Sequence, residues 1–353
     1  MKVLFLSRYG NLGASSRYRS YQYLPYLSEQ GFDISVASLM DNAYLQRLYS
    51  RKPTLPLPII HSYWRRVYLL IRSHRYDLIY LEKEAFPWVP AWLEGLFFKS
   101  GVPYVVDYDD ALFHRYDRHT SSLVKQLLGQ KIDRVMHRAK LVIAGNNYLA
   151  ERAKRAGAKR VEILPTVVNL ELYPPAPICK NPVFTIGWIG SPVTSRYLTE
   201  IYFALREVCK DRTARVVAIG AGPLELKDLP LEIKPWSEAT EVKEMQQFDV
   251  GIMPLPDSPW ERGKCGFKLI QYMACARPVI ASPVGVNCKI VDHQINGFCA
   301  SSTEEWIQAF QVLKNDWVLR QRMGEAGRVK VEAKYCLNVT APQLSQLLRE
   351  AKE

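Results

Sequence analysis

The sequence predicts an α/β protein with two doubly wound domains in tandem. Short apolar strands alternate with helical stretches along the chain, and this alternation is typical of parallel sheets with right-handed crossovers. It is interrupted by a proline-rich segment without periodicity, residues 169–182 (NLELYPPAPICKNP), which separates two series of similar size. A chain of 353 residues is also long for one hydrophobic core and comfortable for two.

The first series opens with the apolar run KVLFLS (2–7) and a polar, glycine-containing loop. A helix is predicted from about Arg17 to Gln30, with Gly31 as its stop. These elements and the strands that follow predict an N-terminal domain over residues 1–172. The further strands are predicted at 32–39, 77–82, 102–110, 140–146 and 160–166.

The second series begins after a linker at 173–182 and predicts a C-terminal domain over 183–335. Apolar residues spaced by about 3.6 positions predict that the tail from residue 304 onward is helical. The last part, 336–353, is predicted as a helix that could cross back to the first domain. The strands of this series are predicted at 183–191, 214–223, 231–236, 249–255, 277–282 and 297–301.

Composition and charge limit the function classes. The chain has 47 basic and 35 acidic residues, a net charge of +12, which favours anionic partners such as nucleotides, nucleic acid or acidic lipid surfaces. Solubility alone is the alternative explanation. The sequence contains no recognisable nucleic-acid-binding module, so we expect no nucleic-acid partner.

The seven cysteines form no CxxC pair and no zinc-spaced Cys/His cluster, which favours free thiols in a reducing compartment. The N-terminus turns polar too early for a signal peptide, and no apolar run reaches the roughly 18 residues of a spanning helix. We therefore expect a cytoplasmic protein.

The most informative segment is 249–287, which is predicted as strand, polar loop, short helix, strand and glycine turn. Its loop lies at the carboxyl end of a buried parallel strand, where open α/β sheets bind ligands. Because Lys264 and Lys268 are in or beside this loop, the expected ligand is anionic, although both could be solvated surface lysines. Gln271 shares a helix face with Lys268 and can both donate to and accept from a ribose diol.

Three further strand ends of the second domain carry candidates. In GWIGSPVTSR (187–196), a glycine turn and a helix predicted to start near Thr194 could hold a diphosphate, or could be only a tight turn. GAGP (220–223) is another glycine loop, and Trp236 could lie against a flat base or cap the edge of the core. No G-x-G-x-x-G with a following acidic residue opens either domain, which disfavours a nicotinamide oxidoreductase.

In the first domain, Arg17 and Arg19 follow a polar loop containing Gly13. Arginines at the predicted start of a helix oppose the helix dipole, so a nearby anion is expected. An acidic cluster, VVDYDDALFHRYD (105–117), ends another strand. Its carboxylates could bind a metal, cap a helix through Asp109 or Asp110, or take part in the reaction.

The string KLIQYMACARPVIASPVG (268–285) resembles the donor site of glycosyltransferase family 4. The resemblance implies a retaining enzyme of GT-B fold, with two Rossmann-like domains facing a central cleft. It implies that the C-terminal domain holds a nucleotide-sugar and that the acceptor binds mainly to the N-terminal domain. It also implies a metal-independent reaction without a cofactor.

The resemblance and the residues together predict a set of roles. The diphosphate of the donor is expected at Gly13, Gly190, Ser191, Arg196, Lys264 and Lys268, and the nucleoside at Gly222, Trp236 and Gln271. Catalytic carboxylates are expected among Asp109, Asp110 and Glu261, and the acceptor side at Arg17, Arg19 and His114.

Two departures from the family motif are visible. The motif carries two glutamates eight positions apart, and these positions hold Gly263 and Gln271. Glu261 could substitute for the first. The motif's basic pair falls on Ser191 and Arg196, so one cation is retained. A non-catalytic nucleotide-sugar-binding relative or scaffold is therefore the alternative to an active enzyme.

The segment 62–76 (SYWRRVYLLIRSHRY) combines aromatic, apolar and basic residues without an acidic one. This composition fits either a helix in a membrane interface or a buried helix with a basic outer face. The resemblance implies transfer to a glycan, lipid-linked or small-molecule acceptor in the synthesis of cell-surface polysaccharide or glycoconjugate, and a lipid-linked acceptor would explain contact with a membrane. The expected location is the cytoplasm, with peripheral contact at the inner face of the membrane.

Overall fold

A computed structural model describes residues 1–50, 52–53, 55–98, 101–176, 182–224 and 226–353. Half of the predicted linker, residues 177–181, lies outside these ranges. The chain forms two compact units. Unit 1 comprises Met1–Thr166, Gly263–Cys265 and Leu337–Glu353, and unit 2 comprises Val167–Arg262 and Gly266–Cys336. Among the described residues, no helix combines the length and the apolar character needed to cross a bilayer.

Unit 1 contains a parallel sheet with helices between its strands. The sheet follows the order β2-β1-β3-β4-β5-β6, so the chain leaves β1 in one direction to β2 and in the other to β3. Its elements are β1 (Lys2–Tyr9), α1 (Ala14–Arg19), α2 (Leu24–Glu29), β2 (Asp33–Met40), α3 (Asn42–Tyr49), α4 (Pro56–Ile71), β3 (Leu78–Glu82), α5 (Ala91–Phe97), β4 (Tyr104–Tyr108), α6 (His114–Asp117), α7 (Ser122–Leu128), α8 (Lys131–Arg138), β5 (Leu141–Ala144), α9 (Asn147–Arg155) and β6 (Val161–Ile163).

The predicted helix from Arg17 to Gln30 is wrong in its start and its continuity. The helix begins at Ala14, ends at Arg19, and resumes as α2 after a 3₁₀ turn at Tyr21–Tyr23. Arg17 and Arg19 thus lie in the last turn of α1, where a cation is favourable to the helix dipole. The argument that these arginines require an outside anion therefore does not hold.

Unit 2 contains a second parallel sheet, in the order β12-β11-β10-β7-β8-β9. Its central strands are buried on both faces, as parallel strands between helical layers require. The elements are β7 (Phe184–Ile189), α10 (Tyr202–Cys209), β8 (Ala214–Ile219), β9 (Leu231–Lys234), α11 (Glu241–Met245), β10 (Val250–Met253), α12 (Pro259–Arg262), α13 (Phe267–Ala274), β11 (Val279–Ala281), α14 (Asn287–Ile290), β12 (Gly297–Cys299), α15 (Thr303–Asn315) and α16 (Trp317–Lys334).

The last helix, α17 (Leu337–Lys352), belongs to unit 1 although it follows unit 2 in the chain. Its Leu344 and Leu348 are fully buried, and the hydroxyl of Thr340 lies 2.9 Å from the hydroxyl of Tyr23. Glu350 forms an ion pair with Arg160 at 2.7 Å. Unit 1 is therefore assembled from both ends of the chain.

The fold class is confirmed, with a strand in the structure at each predicted strand position of both series. Other short 3₁₀ helices occur at Ser73–Arg75, Leu170–Leu172 and Ser195–Ile201. The last of these occupies the place where a helix was predicted near Thr194. The α-helix there begins only at Tyr202, so the loop after β7 leads into a 3₁₀ helix and not directly into a regular α-helix.

Candidate active site

The sheet of unit 2 reverses its winding between β7 and β10. Strands β8 and β9 lie on one side of β7, whereas β10, β11 and β12 lie on the other. The loops that leave β7 and β10 therefore run in opposite directions, and a crevice opens between them at the carboxyl edge of the sheet. Five candidates predicted from the sequence lie on these loops or just after them: Gly190, Ser191, Arg196, Glu261 and Lys268.

The loop after β7 is held close to its own strand. A Cβ at Gly190 would lie 2.4 Å from the Trp188 ring, so only glycine fits there. The amide of Ser191 donates to the Thr194 hydroxyl at 3.1 Å, which closes the turn. Arg196 is exposed, and its guanidinium carbon lies 5.3 Å from the centre of the Tyr197 ring. This loop therefore presents one cation on a rigid turn.

Glu261 connects the two loops. It is buried, and one carboxylate oxygen accepts a hydrogen bond from the Tyr197 hydroxyl at 2.5 Å while the other accepts from Ser258. Burial, followed by this bond to Glu261, raises the pKa of Tyr197 to about 12. Both oxygens of Glu261, which the sequence predicted as a candidate catalytic carboxylate, are therefore engaged within unit 2.

Lys268 lies against the end of β7 rather than on an open surface. Its ammonium group is 5.3 Å from the centre of the Trp188 ring, and the residue is half-buried. It occupies the first turn of α13, which starts after Gly266 in a left-handed conformation (φ 65°). Trp188 thus contacts both Lys268 and the glycine turn, which brings Lys268 and Gly190 together in unit 2.

A second feature of unit 2 is a polar wall, the hydrogen-bonded set formed by Gln271, Tyr173, Glu241 and Trp236. Gln271 is buried and donates to the hydroxyl of Tyr173 at 2.8 Å. Tyr173 donates to Glu241 at 3.2 Å, and the indole nitrogen of Trp236 donates to the same carboxylate at 2.6 Å. Sequence reasoning predicted Gln271 and Trp236 but missed Tyr173 and Glu241. Tyr173 was hidden in a segment that reads as linker.

The glycine loop after β8 lies beside this wall. Gly220 has φ 71°, and a Cβ there would lie 2.4 Å from the carbonyl oxygen of Gly190 and 3.0 Å from the Cβ of Trp236. Gly222, the residue predicted to face the nucleoside, is less constrained, with its nearest neighbour at 3.1 Å in Pro192. The loops after β7, β8 and β9 therefore meet at one place.

In unit 1, Lys83 neutralises two of the three aspartates at the carboxyl end of β4. Its ammonium lies 2.8 Å from Asp109, 3.3 Å from Asp110 and 3.1 Å from the hydroxyl of Ser15. Burial alone would raise the pKa of Asp109, but Lys83 holds it below its usual value. Lys83 itself has φ 66°, a strained backbone conformation for a non-glycine residue.

Asp107 has a different partner and no free oxygen. Arg19 binds it in a two-point ion pair, with distances of 2.8 and 2.5 Å, and Tyr80 donates to it at 2.6 Å. Arg19 is only 2% exposed and also donates to the carbonyl of Leu164. The prediction that Arg19 contacts the acceptor is therefore wrong, because Arg19 forms an ion pair in the core. The anion expected near Arg19 is Asp107.

Neither Asp109 nor Asp110 caps a helix, so that alternative is wrong. The next helix, α6, begins at His114 after Phe113 and has no side-chain cap. His114 bonds Asp117 and Tyr148 through its two ring nitrogens, each at 2.8 Å, and burial lowers its pKa. Both nitrogens are thus engaged within unit 1.

The remaining unit 1 candidates are Gly13, Arg17 and Lys264. Gly13 precedes α1 and packs against Tyr9, where a Cβ would come within 2.5 Å. Arg17 is buried, with its guanidinium carbon 4.9 Å from the centre of the Tyr18 ring. Lys264 belongs to the short segment whose carbonyls accept from Asn146, and its side chain is half-buried.

The described part of the chain contains no group of three or more His, Cys, Asp or Glu side chains arranged to hold a metal ion. The acidic cluster after β4 instead has basic partners, Arg19 and Lys83, contributed by other elements.

Family models match both units. A model described as Glycosyltransferase Family 4 matches residues 19–172, and one described as Glycosyl transferases group 1 matches residues 183–316. The chain belongs to the group 1, family 4-type glycosyltransferases. No match was found among curated protein sequences.

Solved structures share the fold of this glycosyltransferase. Anabaena HepE in complex with UDP-glucose is 17% identical, with a TM-score of 0.72, and the match covers 99% of this chain and 100% of HepE. Sucrose-phosphate synthase from Thermosynechococcus elongatus is 15% identical, with a TM-score of 0.73 over 99% and 98% of the two chains. A glycosyltransferase from Rickettsia africae is 14% identical, with a TM-score of 0.71 over 99% and 98%.

The geometry gives a reason for the first departure of this glycosyltransferase from the family motif. A Cβ at Gly263 would lie 2.5 Å from the Cβ and 2.7 Å from the amide nitrogen of Ala111. Asn146 also holds the carbonyl of Gly263 at 3.0 Å. Packing against Ala111 therefore excludes any side chain, and a glutamate could not occupy this position without movement of the backbone.

Proposed function

We propose that the protein is a retaining glycosyltransferase that moves a sugar from a nucleotide-sugar to a hydroxyl of a glycan, lipid-linked or small-molecule acceptor. The observation that carries the proposal is the pair of loops at the β7/β10 reversal of unit 2, with Arg196 and Lys268 on them. HepE, which shares the fold, was solved with UDP-glucose, so UDP is the first nucleotide to test. Cell-surface polysaccharide or glycoconjugate synthesis is the proposed setting.

The donor diphosphate would lie over the turn at Gly190 and Ser191, where Arg196 and Lys268 supply positive charge. Gly13 and Lys264 of unit 1 are further candidates for phosphate contacts. The nucleoside would lie along Gly222, Trp236 and Gln271. A half-buried indole held by Glu241 offers a fixed flat surface, which suits a base.

In the proposed reaction, the bond between the anomeric carbon and the diphosphate breaks while the bond to the acceptor oxygen forms on the same face of the sugar. The acceptor's proton passes to the leaving diphosphate. Arg196 and Lys268 would stabilise the charge that develops on that diphosphate, and we propose that they do so without a metal.

On the acceptor side we propose Asp110 in preference to Asp109. The Asp110 side chain is 31% exposed, whereas that of Asp109 is 11% exposed and bonded more closely to Lys83. An accessible carboxylate can accept the hydrogen bond of an acceptor hydroxyl and orient it. Arg17 and His114 remain further candidates for this side.

Binding of nucleoside diphosphates and their sugars, followed by calorimetry and thermal shift, tests the donor site. We expect Arg196→Ala and Lys268→Ala each to weaken UDP binding by about tenfold, because each removes a charge-assisted contact. Lys264→Ala tests the additional phosphate contact in the same way. Lys210→Ala, an exposed lysine elsewhere in unit 2, is the control and should leave affinity unchanged. Unchanged affinity in Arg196→Ala, Lys268→Ala and Lys264→Ala alike would reject the diphosphate assignment.

Turnover separates an enzyme from a non-catalytic binding relative. An active transferase is expected to release nucleoside diphosphate from its nucleotide-sugar, at least slowly by hydrolysis, in the presence of a mixed acceptor extract. Tight binding of a nucleotide-sugar with no turnover under any acceptor condition would favour the scaffold alternative instead. NMR of the anomeric proton in the product would decide retention.

We also propose that unit 1 contacts the inner face of an anionic membrane through α4. Its outward stripe consists of Leu57, Ile60, Trp64, Tyr68 and Ile71, all exposed, with Leu57 at 76% and Trp64 at 69%. Arg65 and Arg72 flank the stripe, and residues 55–76 include no acidic side chain. Apolar residues bordered by cations match an anionic lipid surface better than they match water.

Co-sedimentation with vesicles tests this contact. We expect binding to vesicles of equal phosphatidylglycerol and phosphatidylcholine, and little binding to phosphatidylcholine alone. Trp64→Ser combined with Ile71→Ser should reduce binding about tenfold or more, since each removes a large apolar side chain from the interface. Trp317→Ser in unit 2 is the matched control. Equal binding by both variants would exclude α4 as the contact.

A further inference from the structure

The polar wall of unit 2 is a chain of hydrogen bonds that all point to one carboxylate. Gln271 Nε2 donates to the Tyr173 oxygen at 2.8 Å, and the Tyr173 hydroxyl donates to Glu241 Oε1 at 3.2 Å. From the other side, Trp236 Nε1 donates to Glu241 Oε2 at 2.6 Å. Gln271, Tyr173 and Glu241 are buried, so these groups depend on one another for hydrogen bonds.

The chemistry of the groups fixes this direction. A carboxylate only accepts, an indole nitrogen only donates, and a phenol has a single hydrogen to give. Because the hydrogen of Tyr173 goes to Glu241, the Tyr173 oxygen can only accept from residue 271. The side chain at 271 must therefore be a donor. Glutamine meets that requirement, whereas an ionised glutamate would present a second carboxylate to a phenol whose only hydrogen is already in use.

We infer that Glu241 is a positioning residue that determines the identity of residue 271, and with it the group offered to the bound nucleotide. The inference rests on the proposed function. Gln271 commits its amino group to Tyr173, and its carbonyl oxygen has no hydrogen-bond partner among the residues that the structure describes. That oxygen is the acceptor left for a ribose hydroxyl. The second missing glutamate of the motif is thus a consequence of Glu241.

A neighbouring helix keeps the wall in place. Arg328 of α16 donates to the carbonyl oxygens of Tyr173 and Ala274, the latter at 2.6 Å, and so ties the segment before β7 to the end of α13. Tyr173 is therefore held from its backbone as well as from its hydroxyl. A displacement of Tyr173 alone therefore cannot remove the need for a hydrogen-bond donor at residue 271.

Exchange of the two side chains tests the inference. UDP affinity is measured by calorimetry for Gln271→Glu, Glu241→Gln and the double variant. Gln271→Glu should bind UDP about tenfold more weakly, because two carboxylates then compete for one phenol hydrogen. In the double variant, the new amide on α11 can donate to Tyr173, which then donates to the new carboxylate on α13, so the bonds through Tyr173 are restored in reverse. We expect its affinity to return to within about threefold of the original protein.

Glu244→Gln combined with Gln271→Glu is the matched control. Glu244 lies on the same helix, α11, but bonds Lys234 at 2.5 Å, so its replacement removes one carboxylate without touching Tyr173. This pair should show no rescue. The inference is wrong if the double variant of Gln271→Glu and Glu241→Gln loses UDP affinity by the product of the two single losses. It is also wrong if Glu244→Gln restores the affinity of Gln271→Glu equally well.

Two further outcomes separate this inference from the proposed function. Failure of the unsubstituted protein to bind UDP, GDP or ADP would reject the proposed donor site. The two single variants and the double variant would then be compared by their thermal unfolding midpoints. If Gln271→Glu fails to fold by circular dichroism, the exchange variant must restore folding whereas the Glu244→Gln pair must not. An exchange variant that stays unfolded would overturn the inference.

Discussion

At the scale of single residues, the carboxylates around β4 divide into two kinds. Both oxygens of Asp107 accept hydrogen bonds, from Arg19 in a bidentate ion pair and from Tyr80, so Asp107 is part of the core. Asp109 and Asp110 share Lys83, and only Asp110 keeps substantial exposure. The same residue type thus serves structure at one position and remains available to a ligand three residues later.

Paired substitutions distinguish these roles. Asp110→Asn should lower the rate of sugar transfer, or of donor hydrolysis, about 10²-fold while costing less than about 1 kcal/mol of stability, because the group is partly solvated. Asp109→Asn should instead cost about 3 kcal/mol, because it leaves the buried Lys83 with a poorer partner. Steady-state kinetics and urea unfolding measure the two effects. Equal losses of stability in both variants would contradict the distinction.

The lowered pKa of Asp109 adds a pH dependence to the stability of unit 1. A carboxyl whose folded pKa lies below the unfolded value, about 3.9, stabilises the fold fully above that value. Its contribution is lost as pH falls through the folded pKa. The original protein should therefore lose stability more steeply below about pH 4 than Asp109→Asn, in which this group cannot titrate. Urea unfolding at a series of pH values measures the difference, and parallel curves for the two proteins would contradict it.

The residues that the sequence revealed and those it concealed differ in a physical way. Gly190, Arg196, Lys268 and Gln271 lie in loops or helices that follow strands visible in local patterning, so the sequence could nominate them as candidates. Lys83 and Tyr173 act through partners that are distant in the chain: Lys83 pairs with Asp109, and Tyr173 with Glu241. Glycine loops and periodicity contain no information about such pairs. For the same reason Arg19 was predicted as an acceptor-side contact, whereas it is buried in an ion pair with Asp107.

At the scale of elements, strand positions were more predictable than the helix starts near Arg17 and Thr194. Each buried parallel strand is a continuous apolar run that ends at polar or glycine residues, so its position can be predicted from its own stretch of sequence. The start of α1 at Ala14 and the 3₁₀ segment Ser195–Ile201 lie instead beside tertiary contacts, since Gly13 packs against Tyr9 and Tyr197 bonds Glu261. Helix propensity alone could not supply those contacts.

The meeting of three loops at the edge of the second sheet depends on one glycine conformation. Gly220→Ala should cost more than about 2 kcal/mol and weaken UDP binding, because alanine is strained at φ 71° and its Cβ would clash with the Gly190 carbonyl. Gly222→Ala is the matched control for stability, since its nearest contact is a proline Cβ at 3.1 Å. Unfolding midpoints compare the two variants, UDP affinity is measured for Gly220→Ala, and equal losses of stability would argue against this role for Gly220.

At the scale of the whole molecule, each unit has its own sheet and core, but their sequences are nested. Unit 1 takes Met1–Thr166, the short segment Gly263–Cys265 and, after the whole of unit 2, Leu337–Glu353. The sequence indicated two α/β series and a final helix. It could not decide which unit the helix completes, because an amphipathic pattern specifies that a face is buried and not what buries it.

Fragments test this nesting. Residues 1–166 joined through a flexible linker to 337–353 should unfold cooperatively, whereas 1–166 alone should lose several kcal/mol, because Leu344 and Leu348 no longer cover the core. Residues 167–336 should fold separately and retain UDP binding under the proposed function. Denaturant unfolding and calorimetry provide the measurements. A fragment 1–166 as stable as the joined version would show that α17 contributes little.

The return of α17 also has a consequence during synthesis on the ribosome. The strands of unit 1 emerge first, but the helix that covers Tyr23 and its neighbours is translated only after all of unit 2. Throughout that interval the nascent chain presents an uncovered apolar surface, which is the kind of surface that chaperones bind. Translation speed over 167–336 therefore sets how long the nascent protein is vulnerable to aggregation.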